Sequence, residues 1–485
     1  MNKLIASVLC SFAVTCSLEA GPRLGYMLDI SRDKVPTMET LRRVVDVIAP
    51  LGYRELQLYT EHVFAYKGHE EVWGEASPLT PDEVRALDAY AAAKGVDLVA
   101  NQNSYGHLTK WLEKPSYLHL AETPHGGAYT RWGSYLDHPS DLCVTDPESL
   151  KLVESWYDEL LPCFRTKKIN VGGDETFDLT APNARSAEYV KKVGRERAYL
   201  EFLGKICKAA EDRGAEPMFW GDFFYDHPEL IATEVPSGAV PLDWGYSDKH
   251  DFDKMGAAYA AAGVRFRFCP GTSSWNSLSG RFGMARRNLS RAVAAARKHS
   301  PEALLLADWG DGGHPQPFIV SLPALVYLAM KTGAIEGDEG DLAAALDRVM
   351  KTRGAGELLL EYSVLDEKCG VTEGNATPLV DILKFGRDSR KFAKVGEGGV
   401  RAVLDAAAAL SVRVKTGRGD LFTAETPEWV KDGFEVFNLL YRALELRVFG
   451  EPEKIALEIV PEYRRLWLKY NRIGGLDLSV REVFR

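Results

Sequence analysis

Cysteine is scarce, seven in 485 residues. Cys10 and Cys16 fall in an N-terminal segment that resembles a leader. The other five, Cys143, Cys163, Cys207, Cys269 and Cys369, are scattered, odd in number and without the paired spacing of a zinc site. At most two disulfides can form, so burial rather than staples must hold the core. Basic charge is also short: 59 Lys and Arg face 69 Asp and Glu, a net of −10. No stretch concentrates cations as a phosphate backbone demands, which excludes nucleic acid as the expected partner. The N-terminal apolar run over residues 4–14, after Lys3, is too short to span a bilayer and has the form of a secretory leader. The expectation is a leader over residues 1–20, no transmembrane segment, and export to the periplasm or the extracellular space. Lipidation at Cys16 is the weaker alternative, because Thr15 is a poor neighbour for a lipidated cysteine. His62, His69, His119, His125 and His138 lack the i, i+4 pairing of a zincin, so neither metal nor cofactor is expected.

What is present is ordinary globular material, 46% hydrophobic and 10% aromatic. From Gly21 an alternation of short apolar runs and helical spacings begins. Strands are expected at 24–30, 56–59, 97–101, 168–171, 217–220, 240–244, 264–269 and 303–308. Helices fall between them: a first with Leu41, Val44, Val45 and Ile48 on one face, others near 80–94, 147–161, 189–210, 229–234, 251–262 and 285–299, and a last one at 322–331. The Thr-Pro-Asp-Glu at Thr80 is an N-terminus signal and Gly95 a stop. Eight strands alternating with helical segments predict an α/β fold, a (β/α)8 TIM barrel over 21–335. A doubly wound open sheet would more often carry a Gly-rich phosphate turn after its first strand, where this chain has Asp-Ile-Ser-Arg-Asp. Beyond 336 the strand signals fade, and amphipathic segments near 341–352, 379–391, 400–414, 428–448 and 461–471 predict a C-terminal helical region over 336–485. That region can pack on the barrel or make a homodimer.

Active sites of such barrels lie at the C-terminal ends of the strands. The polar and aromatic residues just after each predicted strand form a coherent set: Asp29 and Arg32, Glu61, Gln102 and His107, then Asp174 and Glu175. Trp220 and Asp222, Trp244 and Tyr246, Trp275, and Trp309 and Asp311 follow. Carboxylates with a tryptophan wall suit a sugar, whose apolar ring faces stack on indole while its hydroxyls bond to charged side chains. The strongest signal is Ile169-Asn-Val-Gly-Gly-Asp174-Glu175, because glycines at a strand end let adjacent side chains enter one cleft. Neighbouring carboxylates should titrate apart, one acid and one ionised. An ordinary retaining pair faces across about 5 Å, usually from separate strands, so an adjacent pair fits better with attack by the substrate's own 2-acetamido oxygen.

These segments resemble glycoside hydrolase family 20, the exo-β-N-acetylhexosaminidases, and their hexosaminidase D-like branch. The resemblance is carried by Gly25-Tyr-Met-Leu-Asp-Ile-Ser-Arg32, Leu56-Gln-Leu-Tyr-Thr-Glu61, Gln102-Asn-Ser-Tyr-Gly-His107, Val171-Gly-Gly-Asp174-Glu175 and Asp308-Trp-Gly-Asp311, in the family's order. It implies Glu175 as general acid and base, and Asp174 as the partner of the acetamido N–H. His107 and Glu61 would form a relay behind Glu175. Arg32 and Asp311 would grip hydroxyls, and Trp220, Trp244, Trp275 and Trp309 would wall the pocket. The family usually has Asp at the Glu61 position and often Glu at that of Asp311. Its Tyr-x-Asp after strand seven is replaced by Pro270-Gly-Thr-Ser-Ser-Trp275-Asn276, leaving Tyr246 as the substitute holder of the acetamido carbonyl. The resemblance leaves no room ahead of Arg32 for the family's separate N-terminal domain. The implied substrate is a glycan ending in β-linked N-acetylhexosamine. The rival reading is a non-catalytic glycan-binding protein on a degenerate barrel, and a third is a metal-dependent barrel hydrolase.

Overall fold

The computed structural model describes residues 22–484; the leader expected over 1–20 lies outside them. Eight strands close into a parallel barrel in chain order: β1 (Arg23–Asp29), β2 (Tyr53–Tyr59), β3 (Asp97–Asn101), β4 (Lys168–Asn170), β5 (Glu216–Trp220), β6 (Val240–Trp244), β7 (Arg267–Cys269) and β8 (Ala303–Asp308). The seam between β1 and β8 runs from Arg23↔Ala303 to Leu28↔Asp308. All eight predicted strands are present, although β7 starts three residues later than the apolar run suggests.

Helices follow the strands because their apolar positions recur on one face. In Met38–Ile48 the buried set is Thr40, Leu41, Val44, Val45 and Ile48. The helix Pro81–Ala93 starts as its sequence predicts: the Thr80 hydroxyl accepts the Glu83 N–H, and the Glu83 carboxylate accepts that of Thr80. The single helix expected at 189–210 is two, Ala187–Val193 and Arg195–Glu211, because Gly194 sits between them at φ 90°. The segment after β5 forms only short helical turns, Asp222–Asp226 and Ile231–Glu234 among them. The long excursion between β3 and β4 carries a small antiparallel hairpin, Ala128–Tyr129 with Tyr135–Leu136.

Two kinds of core fill the barrel. Near its C-terminal mouth Met27, Val99, Met218, Leu242, Leu305 and Ala307 form an apolar plug, and Trp220, Trp275 and Trp309 continue it upward. Deeper inside, Arg267 on β7 reaches Glu55 on β2 at 2.9 and 3.1 Å, both fully buried. Gln57 donates to Glu55 (2.7 Å) and Asn101 to Gln57 (2.9 Å), extending the polar chain.

The C-terminal region is helical, and it includes two helices that the sequence pattern does not single out, Ala355–Tyr362 and Leu476–Phe484. The helix expected over 379–391 ends at Phe385, where Gly386 takes over. Helix Glu428–Phe449 lies so close to the turn Phe318–Ser321 that a Cβ on Gly433 would fall 2.5 Å from Ile319. The Tyr470 carbonyl accepts Thr37 N–H (3.0 Å), and Arg472 N–H donates to the Val35 carbonyl (2.8 Å). These bonds fasten the helical region to the loop after β1. Among the described residues all five cysteines are buried and free, and no helix is long and apolar enough to cross a membrane.

Candidate active site

Strand ends β8 and β1 build the first half of the site. Arg32 spreads its guanidinium over three carboxylates: Nε lies 3.2 Å from Asp29, and the two terminal nitrogens lie 3.2 Å from Glu61 and 3.3 Å from Asp311. Burial works against the guanidinium charge, but these carboxylates outweigh it and fix the cation. The buried Asp29 carboxyl is pushed up to about 6 despite Arg32 beside it, and it also accepts the Gly310 N–H at 3.0 Å. Glu61 is further held by the Tyr59 hydroxyl at 2.9 Å. Its direct partners are Arg32 and Tyr59; the relay with His107 that the resemblance implies is not a direct contact, and Glu61 reaches Asp174 only through the Tyr59 hydroxyl and Asn103 (3.2 and 3.1 Å).

The second half stands opposite, at the ends of β3, β4 and β5. Gly172 and Gly173 take φ of 79° and 96°, turning the chain sharply so that Asp174 and Glu175 both enter the cleft. A Cβ on Gly172 would lie 2.1 Å from the Asn103 Oδ1. Asn103 in turn donates to Asp174 Oδ1 at 3.1 Å, so the turn and the carboxylate are set by the same side chain. Gly172→Ala is expected to cost about 1–3 kcal/mol of stability from the positive φ. It should also lower turnover at least tenfold by displacing Asn103. Thermal unfolding and initial rates of the same preparation check both.

Glu175 and His107 are themselves left-handed, with φ of 52° and 55°. Seven of the nine non-glycine residues with positive φ among those described, these two with Asp33, Ser77, Ser273, Asn276 and His314, lie in segments between a barrel strand and the barrel helix that follows it. Backbone strain is thus concentrated at the mouth, where function is placed. Reciprocal bonds hold the strained loops together. The Asp178 carboxylate accepts the Ser140 and Asp141 N–H groups (2.8 and 3.0 Å), and Asp141 accepts that of Asp178 (2.8 Å). The Glu175 N–H points to Asp222 Oδ2 at 3.4 Å.

His107 Nε2 stands 3.3 Å from Asp174 and 3.6 Å from Glu175. Burial would lower its pKa, but Asp174, Glu175 and Glu61 outweigh that and push it up to about 10, so it is an imidazolium at neutral pH. Burial raises the Glu175 carboxyl above the ordinary range, with the His107 cation opposing and Asp174 reinforcing. Asp222 is pushed up to about 7 by burial and by Asp174, against the pull of Arg131 at 3.2 Å.

A tryptophan wall closes the cleft. Trp309 stacks edge-on against Tyr59 (4.7 Å) and donates through Nε1 to the Tyr246 hydroxyl at 2.8 Å. Trp244 stacks on Tyr246 (5.3 Å), and Trp275, fully buried, meets Tyr246 edge-on at 5.0 Å. Trp275 Nε1 donates to Asn375 Oδ1 (2.9 Å), so the C-terminal region supplies part of the rim. One cavity of about 790 Å³ is lined by Arg32, His107, Asp174, Glu175 and Asp311 and by the wall residues Trp220, Trp244, Tyr246, Trp275 and Trp309. Of the predicted strand-end set, Asp29 and Glu61 stand back behind Arg32, and Gln102 is buried, donating to the Glu61 and Asn103 carbonyls (2.9 and 2.8 Å).

Sequence reasoning assigns no role to several neighbours. Tyr59 and Asn103 stand inside the motif segments, and Asp222 is a strand-end residue without a part. Arg131, Trp132 and Asn375 come from irregular segments with no periodicity to mark them. Among the described residues no group of three or more His, Cys, Asp or Glu is placed to hold a metal ion.

A carboxylate pair facing tryptophans at the mouth of a (β/α)8 barrel offers a sugar both hydrogen-bonding groups and stacking faces. The particular family follows from comparison: the domain described as "Glycosyl hydrolase family 20, catalytic domain" matches residues 24–266, and the chain belongs to that family. The matched segment ends before β7, so Trp275, Trp309 and Asp311 are placed by the structure. Human (Homo sapiens) hexosaminidase D is 23% identical over 219 residues, 44% of this chain and 42% of that protein. The Bos taurus hexosaminidase D is 23% identical over 230 residues, 46% and 62% of the two. The chain thus spans about half the length of these relatives. Among solved structures, the Flavobacterium johnsoniae chitobiase superposes with a TM-score of 0.53 at 13% identity, covering 96% of this chain and 78% of that one. At that identity the likeness is one of fold.

Proposed function

We propose that the protein is an exo-acting, retaining β-N-acetylhexosaminidase that removes terminal, non-reducing β-linked GlcNAc or GalNAc from glycans by substrate assistance. The observation that carries the reading is the adjacent Asp174–Glu175 pair, whose members have different surroundings. Glu175 is held toward its protonated form by burial and is the general acid. Asp174 is gripped by Asn103 and faces the His107 imidazolium. Its oxygens keep lone pairs for the acetamido N–H of a bound sugar. Among the described residues no opposed carboxylate suits the part of nucleophile: Asp29, Glu61 and Asp311 are tied to Arg32. Asp222 sits on the acid's own side, bonded to the Glu175 backbone and drawn by Arg131. The acetamido oxygen of the substrate is then the nucleophile, and Asp174 stabilises the positive charge that develops on the oxazolinium ring.

Glu175 gives its proton to the leaving glycosidic oxygen, and as a carboxylate it then takes one from the water that opens the ring. The Tyr246 oxygen is occupied as acceptor by Trp309, which leaves its O–H free to donate to the acetamido carbonyl. Arg32 and Asp311 hold hydroxyls at the far end of the sugar. Trp309, Trp220 and Trp244 cover its apolar faces. Export by the N-terminal leader is part of the same reading, and cell fractionation tests it.

Release of p-nitrophenol from the β-GlcNAc and β-GalNAc glycosides tests the reaction class. Turnover of either supports it, and the ratio of the rates gives the sugar preference. A folded protein that binds these sugars without turnover would favour the glycan-binding reading. The His107 contact adds a pH test. A cation 3.6 Å from Glu175 favours the ionised carboxylate, so His107→Asn removes that effect and raises the Glu175 pKa. The alkaline limb of kcat/KM is expected to move up by about 1 pH unit in the variant while the maximum falls. A limb that stays or moves down would contradict the assignment.

A further inference from the structure

We propose that Arg131 and Trp132, at the tip of the hairpin between β3 and β4, form a binding site for the first sugar beyond the scissile bond. The substrate is then an oligosaccharide end rather than an N-acetylhexosamine carried on a simple alkyl or peptide hydroxyl. The proposal rests on Glu175 being the acid that protonates the leaving oxygen.

Position comes first. Arg32 and Asp311 belong to β1 and β8, whereas Glu175 and Asp222 follow β4 and β5, across the barrel. A terminal sugar held at the Arg32 side directs its glycosidic oxygen to Glu175, and whatever that oxygen carries lies beyond. The hairpin tip is attached to that flank: Trp132 meets Phe177 edge-on at 6.0 Å, two residues past Glu175. Arg131 binds Asp222 at 3.2 Å, the carboxylate that takes the Glu175 N–H. Both residues line the same cavity as the catalytic pair, and its volume of about 790 Å³ suits a ligand of more than one ring.

Exposure and stiffness come next. Trp220, Trp275 and Trp309 are buried, but Trp132 is 65% exposed, with Tyr129 and Tyr135 beside it on the hairpin at 61% and 56%. An exposed indole at a pocket mouth offers an apolar face to a sugar ring. It is also held in place. Arg131 lies 5.4 Å from the Trp132 ring and 6.0 Å from that of Trp244, bridging the hairpin to the wall. The tip is closed by Thr130 N–H to the Ser134 carbonyl and Gly133 N–H to that of Thr130, both 2.9 Å. Its base is pinned by Asn183 to the Gly126 carbonyl at 2.8 Å. Because Asp222 and Asp226 (3.8 Å) already face Arg131, the tip offers stacking and hydroxyl hydrogen bonds rather than a free charge.

The test compares kcat/KM on a methyl β-glycoside and on a β-linked disaccharide with the same terminal sugar, for the protein and for Trp132→Ala. The difference in leaving-group basicity is the same for protein and variant, so a change in the ratio between them reports the second sugar. Trp132→Ala is expected to lower the disaccharide-to-methyl ratio about tenfold or more, and Trp132→Phe, which keeps a ring, to restore most of it. A ratio unchanged in Trp132→Ala, with both substrates cleaved, overturns the hairpin site and leaves the glycosidase reading standing. Failure of the unmodified protein to cleave either compound overturns both.

Discussion

Glu175→Gln is expected to lower kcat/KM about 10²-fold on a nitrophenyl glycoside and about 10⁴-fold on a sugar leaving group. Glutamine fills nearly the same space and leaves the main-chain bonds of this turn, Glu175 N–H to Asp222 and Phe177 N–H to the Glu175 carbonyl, in place. What is lost is the proton. Nitrophenolate is a stable anion and departs with little help, whereas an alkoxide cannot leave unprotonated, so the penalty must grow with the basicity of the leaving group. Initial rates on the two substrates measure it. Equal losses on both would mean that Glu175 acts by position or charge and not as the acid.

Arg267→Met is expected to destabilise the fold by about 3–5 kcal/mol, because it strands the Glu55 carboxylate inside the barrel. Among the described residues the other ion pair of Arg267 is with Glu302, 3.6 Å from Nε and part-exposed. The paired replacement Glu55→Gln with Arg267→Met removes both charges and keeps an acceptor for Gln57, so it should recover most of the loss. Denaturant unfolding of the single and double variants decides it. A double variant no more stable than Arg267→Met would mean that packing, not the uncompensated charge, sets the cost.

That ion pair also marks the limit of what the sequence discloses. The eight strands are legible because apolar runs buried on both sides, such as Ala303–Asp308, stand out between amphipathic helices. Nothing in the sequence pattern marks Glu55 and Arg267 as partners; closure of β2 and β7 on a common interior pairs and buries them. The Asp174–Glu175 turn is legible for a local reason, since two glycines at a strand end let both carboxylates enter one cleft. Tyr59 and Asn103 could be seen as motif members, but their contacts to Glu61 and Asp174 depend on the barrel's stagger. Glu61 carries the same lesson in reverse: its chemistry is evident, its partner is not, and geometry gives it to Arg32. Arg131, Trp132 and Asn375 are invisible because irregular loops have no period, and their place at the mouth is set by tertiary contacts alone.

The central claim is that the substrate's acetamido oxygen attacks the anomeric carbon. The most direct measurement is kcat/KM along a series of β-glycosides whose N-acetyl group carries zero, one, two or three fluorines. Each fluorine withdraws electrons from the carbonyl oxygen and makes it a poorer nucleophile, while the leaving group and the Arg32 end of the sugar stay the same. Substrate assistance predicts a steep, progressive fall in rate along the series. A flat series would contradict it and assign the nucleophile to a protein carboxylate or to water.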